Sequence, residues 1–204
     1  MDQRTEEWFA ARLGKVTASK VSDVVAKTKS GYGASRANYM SQLLVERMTG
    51  TRTESFTNAA MQWGTDTEPQ ARAAYEFIND VTVVEVGFVD HPFVGMSGAS
   101  PDGLVNELGM LEIKCANTST HIQTLLNEKI AKKYLDQMQW QMSCAEREWC
   151  DFVSFDPRMP KGNDFYCKRI NRDDKRIADL ESEVEDFLEE LLKQIETLNE
   201  RLKK

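Results

Sequence analysis

The stretch Gly109–Cys115, GMLEIKC, sets a glutamate and a lysine two positions apart among residues that favour extended backbone. Read as a strand, it alternates with period two: Leu111, Ile113 and Cys115 fall on one face, and Met110, Glu112 and Lys114 on the other. Upstream, Ser100-Pro101-Asp102-Gly103 is a turn-forming tetrad, so a hairpin would bring Asp102 beside Glu112. Two carboxylates and an ammonium in one place suit phosphodiester hydrolysis. Hard carboxylate oxygens hold Mg²⁺, which keeps several waters and can present one as the nucleophile. A lysine there orients or helps deprotonate that water and offsets charge on the phosphorane-like transition state. Taken singly, the parts have plainer readings. A lone Glu-x-Lys on a strand is usually a solvated, charge-paired face, and Pro-Asp-Gly is a favoured turn that implies no metal. The other carboxylate-x-lysine triplet, Asp173-Asp174-Lys175, opens a charged helix on which residues two apart diverge, and it serves as an internal control.

The elements that must position these residues follow from periodicity. Residues 5–13 read as a short helix, and Thr17 or Ser19 caps a second with Val21, Val24 and Val25 on its buried face. Over 36–49, Tyr39, Met40, Leu43, Leu44 and Met48 recur at helical spacing before Gly50, a C-terminal cap. A helical stretch spans 58–78, with Pro69 opening a new helix after Glu68. The period then changes: VTVVEVGFVD (81–90), FVGMSGASPDGLV and GMLEIKC read as three or four strands. Residues 117–146 return to helical spacing, WCDFVSFDP and DFYCKRI add two strands, and 173–204 form an acidic C-terminal helix. In that helix Ile177, Leu180, Val184, Phe187 and Leu191 form a seam that packs against its own domain or between subunits; the seam is short and slips after Leu191, which favours its own domain. The order predicts an α/β (α+β) fold with a central mixed β-sheet flanked by helices.

At 204 residues and 41% hydrophobic content, without a linker-like stretch, the chain reads as a single domain over 1–204. The N-terminal segment lacks the apolar run of a signal peptide and no stretch is apolar enough to span a membrane, which predicts a cytoplasmic protein. Cys115, Cys144, Cys150 and Cys167 form no CxxC pair and read as reduced core residues. His91 reads as a turn residue and His121 as part of an exposed helix face; neither stands at metal-ligand spacing from a Cys or another His, which argues against zinc. No phosphate-binding glycine motif is present. The net charge of −7 argues against bulk electrostatic binding of nucleic acid. Its distribution softens that objection, because acids crowd 173–200 while Arg12, Lys15, Lys20, Lys27 and Lys29 make the N-terminal segment basic.

Six segments in order, WFAARLGKVTAS (8–19), AMQWGTDTEPQAR (60–72), SPDGL (100–104), LEIKC (111–115), YLDQMQWQM (134–142) and FDPRM (155–159), carry a resemblance over most of the chain. The sequence resembles the lambda-type phage exonucleases, the YqaJ-like viral recombinase branch of the PD-(D/E)xK nucleases, whose core is restriction-endonuclease-like. The resemblance implies that Asp102, Glu112 and the Ile113 carbonyl hold the metal, that Glu68 ligates a second, and that Lys114 and Gln137 complete the catalytic set. It implies Arg12, Ser19 and Ser100 as the grip on a 5′-phosphate and Met61 as a strand-separating wedge. Without it, Glu68 is a helix-dipole charge, Gln137 a polar helix residue, Arg12 solvated, Ser19 a cap, and Met61 as readily a core residue. The activity implied is Mg²⁺-dependent 5′-to-3′ exonuclease action on double-stranded DNA ends, with two Mg²⁺ per site and Mn²⁺ as a substitute. A toroidal homotrimer in a bacterial host cytoplasm would leave 3′ overhangs for a phage single-strand annealing protein. Two other readings stay open: an endonuclease of the same superfamily, which would cut closed circles, and a non-catalytic DNA-end-binding module.

Overall fold

The computed structural model describes residues 2–53 and 58–201. In chain order the elements are α1 (Glu6–Arg12), β1 (Val16–Thr17), α2 (Ala18–Val24), β2 (Lys27–Thr28), β3 (Gly31–Tyr32), α3 (Ala34–Thr49), α4 (Ala59–Asn79), β4 (Val83–Val84), β5 (Val89–Asp90), β6 (Ser97–Ala99), β7 (Gly103–Val105), β8 (Gly109–Lys114), α5 (Thr118–Asn127), α6 (Lys132–Cys144), β9 (Trp149–Phe155), β10 (Phe165–Asn171) and α7 (Asp174–Arg201). The main sheet runs β10-β9-β8-β7-β4; β8 and β9 are parallel and the other neighbours antiparallel. A second sheet, β1-β6-β5, and the β2–β3 hairpin lie apart from it. This is the mixed sheet with flanking helices that the element order predicts.

The alternation of β8 decides the layering. Leu111 and Ile113 join Ala71 and Tyr75 of α4 with Val153 and Phe155 of β9 in one apolar cluster, while Met110 joins Met138 and Met142 of α6 with Cys150 and Phe152 in another. The sheet is thus sandwiched between α4 and α6, with the charged pair of β8 turned toward α6. Beyond α6, the buried stripe of α7, from Leu180 to Leu191, packs with α2 and α3. The terminal helix therefore spends its seam on this chain's own core. Residues 202–204, the end of the predicted acidic helix, lie outside the described residues.

Several expectations are corrected. Pro69 does not open a helix; it lies within α4, which is continuous. An interior proline costs about 3 kcal/mol by removing a backbone hydrogen bond and crowding the preceding turn, and burying α4 against the sheet through Ala71 and Tyr75 offsets this. The stretch 81–115 holds five strands, β4 to β8, rather than three or four, and 81–90 divides between two sheets. The helical stretch 117–146 breaks between α5 and α6, where Glu128 takes a left-handed conformation. His121 is fully buried, its ring bonded to Ser154 Oγ (2.7 Å) and the Asn163 carbonyl (2.8 Å), pinning α5 to β9 and the following loop. Cys115, Cys144 and Cys150 are buried as expected, but Cys167 is exposed because β10 is an edge strand. His91 does serve a turn, its Nδ1 accepting from the Phe93 and Val94 amides, although it is buried. Among the described residues, no helix is long and apolar enough to cross a membrane.

Candidate active site

The β7–β8 hairpin pairs Gly103 with Leu111, which places Asp102 against β8; its Oδ2 accepts from the Ile113 amide at 2.6 Å. Across the pleat, Glu112 and Lys114 point toward α6 and form an ion pair. Glu112 is fully buried, and two amides of α6 meet it: Gln137 Nε2 donates to Oε1 and Gln141 Nε2 to Oε2, each at 2.7 Å. Asp102, Ile113, Lys114, Cys115, Glu68 and Gln137 line one cleft of about 630 Å³. The structure thus brings together Asp102, Glu112, Lys114 and Gln137, the set that the sequence points to. The control triplet behaves differently: Asp174 and Lys175 are exposed and pair with Arg172 and Asp179.

Burial and mutual repulsion among its carboxylates shape the electrostatics of this cleft. Burial pushes the Asp102 carboxyl well above its ordinary range, and repulsion from Glu112 and Glu68 adds to it, against the opposing Lys114 charge and Ile113 amide. Burial opposes the charged form of Lys114, but Glu112 and Asp102 outweigh it and hold the ammonium above its usual pKa. The Cys115 thiol, pushed up to about 12 by burial and the neighbouring carboxylates, faces the cleft as a neutral group.

Glu68 reaches the cleft from α4 in a different setting. Arg4 holds its Oε2 at 3.0 Å and Arg72 its Oε1 at 2.9 Å, and Arg72 also pairs with Glu85. Among the described residues, no three Asp, Glu, His or Cys side chains converge at ion-ligating distance. The donor types nonetheless fit a hard divalent cation: three carboxylates and a strand carbonyl are oxygen ligands, and a cation would favour the ionised form of Asp102 that burial and the neighbouring carboxylates oppose.

A second cleft of about 390 Å³ adjoins the first, with Ser19 and Met61 lining both. Arg12 opens into it from α1, stacked on the Trp8 ring at 4.2 Å and donating to Ser100 Oγ at 3.0 Å; Trp8 Nε1 donates to the same hydroxyl at 2.9 Å. Arg12 has no carboxylate partner among the described residues, whereas Lys15, Lys20 and Lys27 are each paired with an acid. The turn that fixes Arg12 depends on Gly14, at φ +68, whose amide donates to buried Glu46 and whose carbonyl accepts from Arg47. A Cβ at Gly14 would lie 2.8 Å from the Arg47 side chain. Met61 is 56% exposed, so it is not a core methionine and stands on the ridge between the clefts.

Sequence reasoning missed Gln141 and Arg4. Gln141 lies one helical turn after Gln137 in the quoted segment YLDQMQWQM, and that i,i+4 spacing was the available signal. Nothing local to Arg4 links it to Glu68, 64 positions away.

The fold and the site together define a nuclease of the exonuclease type. The chain belongs to the YqaJ-like viral recombinase family, whose domain model matches residues 7–148. It is 53% identical to an alkaline exonuclease (LHK-Exo) from Laribacter hongkongensis, with a TM-score of 0.92 over 97% of this chain and 98% of that one. The same identity, TM-score and coverage hold for LHK-Exo in complex with dAMP. A phage related exonuclease from Haemophilus somnus 129PT shares the fold at 16% identity, with a TM-score of 0.70 over 89% of this chain and 96% of that one. No curated protein sequence matches significantly.

Proposed function

We propose that the chain is a Mg²⁺-dependent exonuclease that degrades the 5′-ended strand of double-stranded DNA from duplex ends. The observation that carries this reading is the adjacency of two unlike clefts: one is lined by Asp102 and by Lys114, which pairs with buried Glu112, and the other presents the Arg12 guanidinium, without a carboxylate partner among the described residues, beside Ser19 and Ser100. A guanidinium without a carboxylate suits a terminal phosphate, which it can bind bidentately while hydroxyls complete the site. Met61, exposed on the ridge, would part the strands so that only one enters the hydrolytic cleft. The length of DNA between the gripped terminus and the cut would then be set by the protein.

Asp102, Glu112 and the Ile113 carbonyl would hold one Mg²⁺ and Glu68 a second, with Mn²⁺ able to substitute. When bound, the ions supply an activated water and neutralise the phosphate oxygens. Lys114, fixed by Glu112, would orient that water and offset charge developing on the phosphorus centre. Asp102 is held in register by the Ile113 amide, so hairpin pairing itself sets the spacing between the two carboxylates. Gln137, at the cleft wall, orients Glu112. The relative in complex with dAMP binds a deoxynucleoside monophosphate, the product class expected of stepwise hydrolysis.

The wider reading is a single domain over 1–204 acting in a bacterial cytoplasm. It would assemble as a toroidal homotrimer and pass its 3′ overhang to a phage single-strand annealing protein. The test is digestion of linear duplex labelled at one 5′ or one 3′ end, with and without a 5′-phosphate, beside covalently closed circles. The expected result is Mg²⁺-dependent release of the 5′ label, faster from phosphorylated ends, with circles intact. Loss of the 3′ label first would overturn the polarity, cut circles would point to an endonuclease, and retention of uncut DNA to a binding module.

A further inference from the structure

We propose that Gln141 is the fixed anchor that orients Glu112 for a divalent cation, with Gln137 and Lys114 as its exchangeable partners; this rests on Glu112 being a metal ligand. The two glutamines lie one turn apart on α6 and take one carboxylate oxygen each. Their surroundings differ. Gln137 lines the cleft, and Lys114 meets the same oxygen, Oε1, so a cation arriving through the cleft encounters that side first. Gln141 is fully buried behind the carboxylate, at the interface of α6 and β8 to which Met110, Met138 and Met142 belong, and it is the sole donor to Oε2 among the described residues.

Two features make this a functional placement rather than a packing one. A neutral amide fixes the carboxylate without cancelling its charge, whereas a lysine or arginine in that place would compete with the cation. The position also carries a cost that packing alone does not explain: Gln141 Oε1 is buried with no hydrogen-bond partner. A methionine, as at positions 138 and 142, would fill the interface without that orphaned acceptor. What the glutamine adds is one donor, aimed at Glu112.

The experiment is isothermal titration of the DNA-free protein with Mn²⁺, alongside kcat and KM on duplex ends and thermal melting, for Gln141→Met, Gln141→Asn and Glu112→Gln. Gln141→Met should melt like the wild type, bind Mn²⁺ roughly tenfold to a hundredfold more weakly, and lose kcat with KM for DNA unchanged. Gln141→Asn keeps an amide but stops one methylene short; it should show the same losses and serves as the test should the methionine variant not fold. If either variant, folded, binds Mn²⁺ and turns over like the wild type, the anchor role is wrong. Glu112→Gln separates this from the site reading: normal Mn²⁺ binding by Glu112→Gln would overturn the metal-ligand assignment itself, whereas loss there with no loss at Gln141 would overturn only the anchor.

Discussion

Glu112 and Glu68 belong to the same site and are held in different ways: Glu68 lines the cleft from α4, whereas Glu112 lies buried on β8 behind Lys114 and Gln137, which line it. Glu112 is sealed between β8 and α6, its oxygens taken by two neutral amides and one lysine. Glu68 stands on α4 between two arginines, one of them, Arg4, about half exposed on the N-terminal segment. Amides position a carboxylate and leave its charge in place; arginines position it and cancel the charge. On the Glu112 side Lys114 pairs with Oε1 while Oε2 meets only a neutral amide among the described residues, and the Glu112 charge bears on Asp102. The Glu68 wall must release a guanidinium before it can ligate anything. On the proposed reading with two cations, the tighter site is the one on the Asp102–Glu112 side.

The largest expected effect breaks the chemistry while leaving both glutamates in the chain: Lys114→Ala should reduce kcat by roughly 10²–10⁴-fold, measured in single-turnover digestion. The next sets the walls against each other. Glu112→Gln should weaken Mn²⁺ binding by more than about a hundredfold, while Glu68→Gln removes a weaker binding event and leaves the tighter one, both read by titration calorimetry. Equal losses in the two variants would dissolve the distinction. Arg12→Ala acts outside both walls. Losing a charge-assisted contact worth about 1.5–3 kcal/mol should cut the preference for 5′-phosphorylated over unphosphorylated ends by roughly tenfold to a hundredfold, seen in the ratio of initial rates. The smallest effect sharpens the comparison: Arg4→Ala removes a solvent-exposed ion pair worth about 0–1 kcal/mol. It should lower the Mg²⁺ concentration for half-maximal activity two- to fivefold, because Glu68 no longer has to exchange it.

The Glu112 wall was largely legible in the sequence and the Glu68 wall was not, for a physical reason. Period-two alternation and a turn tetrad are local, and they fix which residues of GMLEIKC face α6 and why Asp102 joins them. The helix α7 was legible in the same way, its stripe being a short-range pattern. The partners of Glu68 and Glu112 are tertiary facts: Arg4 arrives from the N-terminus, and Gln141 matters only because α6 lies across β8. Errors in the fold share this origin. Pro69 reads as a helix start because the sheet contact that stabilises an interior proline is not local, and His121 reads as exposed because Ser154 and Asn163, which receive its ring, lie more than 30 positions away.

The most direct test of the account is digestion of uniformly labelled linear duplex by the wild-type protein and by Lys114→Ala, each in Mg²⁺ and in EDTA. We predict release of acid-soluble nucleotides only from the wild type in Mg²⁺, with the variant folded and still retaining DNA. Release by the wild type in EDTA, or by Lys114→Ala at the wild-type rate, would contradict the assignment of metal-dependent hydrolysis to the Asp102–Glu112–Lys114 cleft.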